Sequence, residues 1–310
     1  MSRSVDITPL RIGMVGLGSI ARKAYLPILS QAERWVLAGA YSPNQRRAQS
    51  ICQSYRIPCF ASLDDLMGQC DAVFVHSSTA SHYAIVETLL LAGLHVYVDK
   101  PLAETLGQAQ ALVMLAQQQQ RTLMVGFNRR FAPLYLQLKQ CLVQPDAIRM
   151  EKHRLDDIGP QDAGFTLLDD YLHVVDTALW LAEGDVTLYN GIIRCNPQGQ
   201  LVYAEHHFQV GTCQITTSMH RQAGSQREAI QAVTTGALYQ VANLCEWRQE
   251  RDGCVLQSPA PAWQTTLEQR GFVGAVNHFI DAVTEQQPPQ TSGEQALRAQ
   301  RIIESLLGKS

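Results

Sequence analysis

At 310 residues the chain has room for about two domains, taking roughly 150 residues per domain. Its 46% apolar and 17% charged residues are ordinary for a globular protein with a sizeable core. A net charge of −3 and an isoelectric point near 6.3 give no electrostatic footprint for nucleic acid or an anionic membrane surface, so neither is expected as a partner.

The polar opening MSRSVDITPL lacks the apolar run of roughly 7–15 residues that marks a signal peptide. No later stretch is apolar for the roughly 18 residues that suggest a membrane span; LLLAGLHVYV comes nearest, and Gly93 and His95 interrupt it. A cytoplasmic protein is expected. The eight cysteines (52, 59, 70, 141, 195, 213, 245 and 254) form no CxxC pair and no zinc spacing. They are read as reduced thiols packed like small hydrophobes, and no metal is expected.

From Leu10 to Val125 short β-branched runs alternate with helical segments. LRIGMVG (10–16) predicts a buried strand, and the segment from Ser19 to Ala32 a helix. WVLAGAY (35–41) predicts a second strand, followed by a polar helix at NQRRAQSICQSY. A short helix at SLDDLM, a strand at CDAVFVH (70–76) and a helix at 84–93 follow, the last stopped by Gly93. Next come the strand LHVYVDK (94–100), a long helix at 104–120 and the strand TLMVG (122–126). This alternation predicts a doubly wound parallel sheet with any ligand at the carboxyl edge of its strands.

After Phe131 the rhythm changes. A strand near 147–154 and one long helix at about 166–183 precede a run of alternating segments from LVYAEHHFQV to CEWRQER, as in an antiparallel meander. A helix with the apolar stripe Phe272, Val276, Phe279, Ile280 and Val283 follows, then a Pro-Pro break and a last helix at 293–307. The expectation is α/β overall: residues 1–127 as a Rossmann domain, and 128–310 as an α+β domain with a large, mainly antiparallel open sheet. With few helices to cover that sheet, its bare face is expected to be apolar and to pair copies into a homodimer or higher homo-oligomer.

The first strand runs into Gly16-Leu17-Gly18-Ser19-Ile20-Ala21, a GxGxxA. Gly16 allows the tight turn, Gly18 lets a pyrophosphate approach the backbone, and Ala21 lets the helix pack against the sheet. The helix start at Ser19 and Ile20 directs N–H groups and the positive dipole end at the phosphates. An Asp or Glu about 20 residues further on would hold the ribose of NAD. That place falls at Ser42, 21 residues after Ala21, with Arg46 and Arg47 close behind. A hydroxyl and two guanidiniums without a carboxylate suit a 2′-phosphate, so NADP is expected over NAD.

Five segments together, GLGSIA, HSSTASH (76–82), DKPLA (99–103), GFNRRFAP (126–133) and LLDDYLHVVD (167–176), resemble the glucose–fructose oxidoreductase/inositol dehydrogenase/MocA family. The likeness covers nearly the whole chain, and FVHSSTASH, GFNRRFAPLY, LLDDYLHVVDTALWL and AGSQRE extend it to the MviM branch of that family.

The resemblance implies that Lys100, in Asp99-Lys100-Pro101, lies between nicotinamide and substrate, with Asp99 in place of the family's usual Glu and Pro101 orienting the lysine. It implies a catalytic Asp169 and His173 on the second-domain helix, which the spacing places on one face with Asp176, beside a core stripe of Leu168, Leu172, Val175 and Leu179. Where the family usually has Gly two residues before the histidine, Tyr171 stands here, a phenol expected to narrow the pocket or touch the substrate. The resemblance also implies cofactor contacts from Ser77, Ser78, Thr79 and His82, and from Asn128 and Arg129.

Lys152 and Arg154 share one strand face and suit an anionic substrate, but a solvated strand face is the plainer reading. His206 and His207 support no metal site. The activity implied is hydride transfer between NADP (or NAD) and a C–OH/C=O centre in a sugar, polyol or related small molecule. A non-catalytic NAD(P)-binding regulator or scaffold, and a hydrolase or isomerase running an internal redox cycle, are the other classes this fold hosts.

Overall fold

The computed structural model describes residues 9–31 and 34–308. Contacts divide the chain into two compact units. The first takes in the chain up to Phe127 together with Ala275–Arg298, and the second Asn128–Gly274 with the residues from Ala299 onward.

In the first unit β1 (Leu10–Val15), β2 (Trp35–Tyr41), β3 (Ala72–Val75), β4 (His95–Val98) and β5 (Leu123–Val125) form one parallel sheet in the order β2-β1-β3-β4-β5. Beyond β2, Cys59 makes a single parallel bridge to Ala40, so a strand shrunk to one residue completes the doubly wound dinucleotide-binding order. The strands read as unbroken apolar runs because helices cover both faces; all four residues of β3 are buried. The helical stretch after β1 begins at Ser19, makes a π-helical turn over Ala21–Tyr25 and ends with Leu26–Leu29. It is shorter than expected, and the expected end at Ala32 lies outside the described residues.

A single cut at residue 128 does not describe this chain. From Ala275 the helix Phe272–Thr284 belongs to the first unit, where the Phe279 ring packs edge-on against Phe74 and Tyr97 at 5.2 and 5.6 Å. Further on, Thr291 caps the edge of the sheet: its carbonyl accepts from Val125 N and its hydroxyl donates to Val125 O, both at 2.8 Å. The physical reason is the edge strand itself, whose backbone groups need partners once buried.

In the second unit the strands are β6 (Ala147–His153), β7 (Val186–Cys195), β8 (Leu201–Val210), β9 (Cys213–His220), β10 (Arg227–Thr234), β11 (Ala237–Ala242), β12 (Glu246–Arg251) and β13 (Cys254–Pro259). They form an eight-stranded sheet in the order β13-β12-β11-β10-β6-β9-β8-β7, antiparallel throughout except where β6 lies parallel to β9. One face packs on the helix Leu172–Ala182 through β6 and β9, whose Ile148, Met150, Ile215 and Met219 are buried.

The other face is not the apolar patch expected. Its central strands present Arg149, Glu151, His153, His207, Gln209, Gln214, Thr216 and His220. Exposed apolar side chains instead gather on the edge strands, at Leu188, Tyr189 and Ile192 of β7 and Val255 and Leu256 of β13. The helix Leu172–Ala182 also departs from a one-sided stripe, since every residue from Leu172 to Ala178 is buried. No helix among the described residues is long and apolar enough to cross a membrane.

Candidate functional site

The carboxyl edge of the parallel sheet brings three loops together. Gly16 leaves β1 with φ +87°, and a Cβ there would sit 2.6 Å from the carbonyl carbon of His76 and the nitrogen of Ser77, just past β3. Only glycine fits. At Gly18 the nearest protein atom to such a Cβ is His76 O at 3.8 Å, so the loop leaves an open cradle against the exposed Ser19 and half-buried Ile20. This cradle at a helix start fits the pyrophosphate of a dinucleotide.

At the end of β2 stands the half-buried Ser42. Asn44 caps the next helix by accepting from Arg47 N at 3.1 Å, which places Arg46 and Arg47, both exposed, in its first turn. No carboxylate stands between Ser42 and these arginines.

After β3 come the half-buried Ser77, the exposed Ser78 and Thr79, the first residue of the helix Thr79–Leu91. Ser81 donates to Ser77 Oγ at 2.8 Å. His82 departs from the expected cofactor contact. It is 1% exposed, its Nδ1 donates to Pro101 O at 2.8 Å, and its Nε2 lies 3.2 Å from Ser77 O. Burial pushes its pKa down. The ring therefore ties the β3 loop to the β4 loop instead of offering a nitrogen to a ligand.

Lys100 follows β4, half-buried, with a cis bond to Pro101. Its backbone N–H donates to Asp99 Oδ1 at 2.9 Å, and Asp99 Oδ2 lies 3.8 Å from His76 Nδ1. Burial alone would raise the Asp99 pKa; His76 and Lys100 outweigh it and hold the carboxyl below its usual range. His76 stacks on Tyr25 with centroids 3.9 Å apart, and the Tyr25 and Tyr97 hydroxyls bond at 2.9 Å. Sequence reasoning passed over Tyr25, His76 and Tyr97. The only signal was that each stands at or near the carboxyl end of a Rossmann element.

In the second unit Asp169 sits in a π-helical turn, Leu167–Tyr171, and His173 in the helix that continues it. Asp169 is half-buried and His173 is buried. Asp176 is spoken for, since Arg130 donates Nε and Nη2 to its two carboxylate oxygens. Tyr171 is no substrate contact here. It is fully buried, with its hydroxyl 2.7 Å from Thr217 Oγ1 and 3.0 Å from both Thr217 O and His206 Nδ1.

Asn128 and Arg129 each hold a partner within the second unit. Asn128 Nδ2 donates to Arg270 O at 2.7 Å, and Arg129 clamps Glu228 through Nε and Nη2 at 2.7 and 2.8 Å. Lys152 and Arg154 do not form a solvated face: both bind the buried Asp170, which Arg221 also binds. The adjacent Asp169 and Asp170 are indistinguishable in sequence, and only packing shows which one anchors three cations.

A larger cavity, about 520 Å³, lies in the first unit among His95, Arg121, Thr122, Gln286, Pro288 and Glu294. His95 and Thr122 stand at the amino ends of β4 and β5, the edge opposite the glycine loop. The known position of ligands on doubly wound sheets argues against the reaction occurring there.

A doubly wound sheet with a glycine cradle and a lysine at its carboxyl edge defines an NAD(P)-binding oxidoreductase. Residues 10–127 match the model "Oxidoreductase family, NAD-binding Rossmann fold", and residues 133–252 match "YceM-like, C-terminal domain". The chain is 61% identical over 297 residues, 96% of this chain and 97% of the other, to "Putative oxidoreductase YceM" of Salmonella typhimurium. It is 30% identical over 180 residues to the UDP-N-acetylglucosamine 3-dehydrogenase of Acidithiobacillus ferrooxidans, covering 57% of this chain and 55% of that one. A crystal structure of a dehydrogenase (MviM) from Clostridium difficile superposes with a TM-score of 0.96 at 40% identity, over 98% of this chain and all (100%) of that one. The chain belongs to the glucose–fructose oxidoreductase/inositol dehydrogenase/MocA family and is an NAD(P)-dependent oxidoreductase related to sugar dehydrogenases.

Proposed function

We propose that the protein is an NADP(H)-dependent dehydrogenase or reductase acting on a C–OH/C=O pair in a sugar, polyol or related small molecule. The observation that carries this reading is the carboxyl edge of the first sheet, where the open Gly18 cradle and Lys100 both stand. Gly16, Gly18, Ser19 and Ile20 hold the pyrophosphate, and Ser42, Arg46 and Arg47 take the 2′-phosphate. Ser77, Ser78, Thr79 and Asp99 line the remainder of the dinucleotide. The bound cofactor supplies hydride exchange with the substrate carbon.

Lys100 donates a hydrogen bond to the substrate oxygen and polarises it. His173 takes the proton of the substrate hydroxyl, or returns it in the reverse direction, and Asp169 one turn earlier orients the ring. Lys100→Ala and His173→Ala are each expected to lower turnover by roughly 10²–10⁴-fold while leaving NADPH affinity nearly unchanged. The test pairs NADPH fluorescence titrations with 340 nm rates over a panel of sugars, polyols and their keto forms. Full turnover in His173→Ala overturns the assignment.

Self-association through the open sheet is part of this proposal. Its support is the ten-residue edge strand β7, exposed along most of its length with Leu188, Tyr189 and Ile192 outward. Light scattering at micromolar concentration that finds only a 34.4 kDa species rules it out.

A further inference from the structure

A small cavity of about 60 Å³ opens wholly within the second unit, among Arg129, Lys152, Arg154, Glu228, Asn243 and Arg270. Lys152 and Glu228 face each other across the β6–β10 ladder, and Arg154 follows β6. The surrounding charges do not balance. Arg129, Lys152, Arg154 and Arg221 are met by Glu228, Asp170 and the half-exposed Asp157. Arg270 has no ion-pair partner among the described residues and raises the excess to two positive charges.

Arg270, the unmatched cation, is half-buried, so it gives up part of its hydration without an ion pair in exchange. Burial, with Arg129 repelling from alongside, pushes the Lys152 pKa down to about 8 despite Asp170 and Glu228 nearby. The donors are not used up. Glu228 takes Nε and Nη2 of Arg129, and Asp170 takes Nε and Nη2 of Arg154, which leaves Nη1 of each without a hydrogen-bond partner among the described residues. Arg270 is held by its backbone: its carbonyl accepts from Asn128, and a Cβ on Gly271 would lie 2.1 Å from Asn128 O. Arg270 thus lines the cavity from a main chain packed closely on Asn128. A water occupies about 30 Å³ in the liquid, so the cavity takes one small oxyanion in place of about two waters.

We propose that this pocket receives an anionic substituent of the substrate, a phosphoryl or carboxylate group, with Arg129, Lys152, Arg154 and Arg270 as its donors. The word substrate rests on the oxidoreductase reading above; the oxyanion pocket itself does not. Glu228, the carboxylate that lines the cavity, is already paired with Arg129, which limits its repulsion of an anion there.

The test is calorimetric titration of the full-length protein with inorganic phosphate and, separately, with acetate. It compares wild type, Arg270→Gln, Lys152→Met and, as a distant control, Arg251→Gln at an exposed pair with Asp252. Arg270 is only half-buried, so that variant keeps the test alive if Lys152→Met does not fold. Phosphate is expected to bind wild type and the control alike, and about tenfold or more weakly to Arg270→Gln. Acetate binding with the same dependence on Arg270, in the absence of phosphate binding, assigns the substituent as a carboxylate. Binding of neither anion, or equal binding to wild type and Arg270→Gln, overturns the proposal. Fluorescence titration with NADPH on the same samples separates the two readings. Normal NADPH binding without anion binding refutes this pocket alone, whereas Arg270-dependent anion binding without NADPH binding refutes the oxidoreductase cofactor assignment alone.

Discussion

Nδ1 of His82 lies 2.8 Å from the carbonyl oxygen of Pro101, one residue beyond Lys100. A buried imidazole on the helix after β3 thereby fixes the turn that carries the lysine. His82→Phe keeps the volume and removes the donor, leaving the Pro101 carbonyl unpaired in the interior. The expected loss is about 1–3 kcal/mol of stability, with a fall in turnover larger than any change in NADPH affinity. Thermal unfolding, rates and NADPH fluorescence read these separately. A folded variant with wild-type turnover would show that the bond does not position Lys100.

The two motif glycines are expected to fail in different ways. At Gly16 a methyl group meets backbone at 2.6 Å and φ is +87°, so Gly16→Ala strains the loop and lowers the melting temperature. At Gly18 the nearest atom is 3.8 Å away, so Gly18→Ala is expected to melt like wild type yet bind NADPH at least about tenfold more weakly. Equal melting losses in both variants would contradict the cradle.

The proposed NADP preference rests on Arg46 and Arg47, both exposed in the first turn of the helix after β2. Each charge-assisted bond to a 2′-phosphate is worth about 1.5–3 kcal/mol, so replacing both by alanine should weaken NADPH binding more than about tenfold. NADH binding, which lacks that phosphate, should hardly change. Parallel losses for the two cofactors would make these arginines supports of the helix start instead.

Glu228 sets an acid limit on stability. Burial alone would raise its pKa, but Arg129 outweighs burial and holds it at about 2 against the ordinary 4.5. A carboxylate depressed in the folded state stabilises fully above the ordinary value, and that contribution fades as pH falls from about 4.5 towards 2. The shift corresponds to about 3 kcal/mol. Urea unfolding of wild type between pH 5 and 2 should therefore show a steep loss that Glu228→Gln flattens. The variant should also be weaker by roughly 3–5 kcal/mol at neutral pH, because Arg129 is left buried without its partner. An unchanged acid slope would remove Glu228 from the titration.

Local chemistry made much of this protein legible in advance. The parallel strands were readable because strands covered on both faces become unbroken apolar runs. The glycine loop was readable because only glycine accepts the backbone at Gly16. These signals depend on a residue and its near neighbours along the chain.

What the sequence by itself determined, then, was the doubly wound first sheet and the mainly antiparallel second sheet. Tertiary structure alone decided which polar groups are already paired. Asp170 rather than Asp169 gathers Lys152, Arg154 and Arg221; Tyr171 turns its hydroxyl to Thr217; His82 spends its ring on Pro101; and Thr291 returns to satisfy Val125. A side chain's partner is set by the elements that meet across its face, tens of residues away in the chain, and periodicity shows only that a face exists.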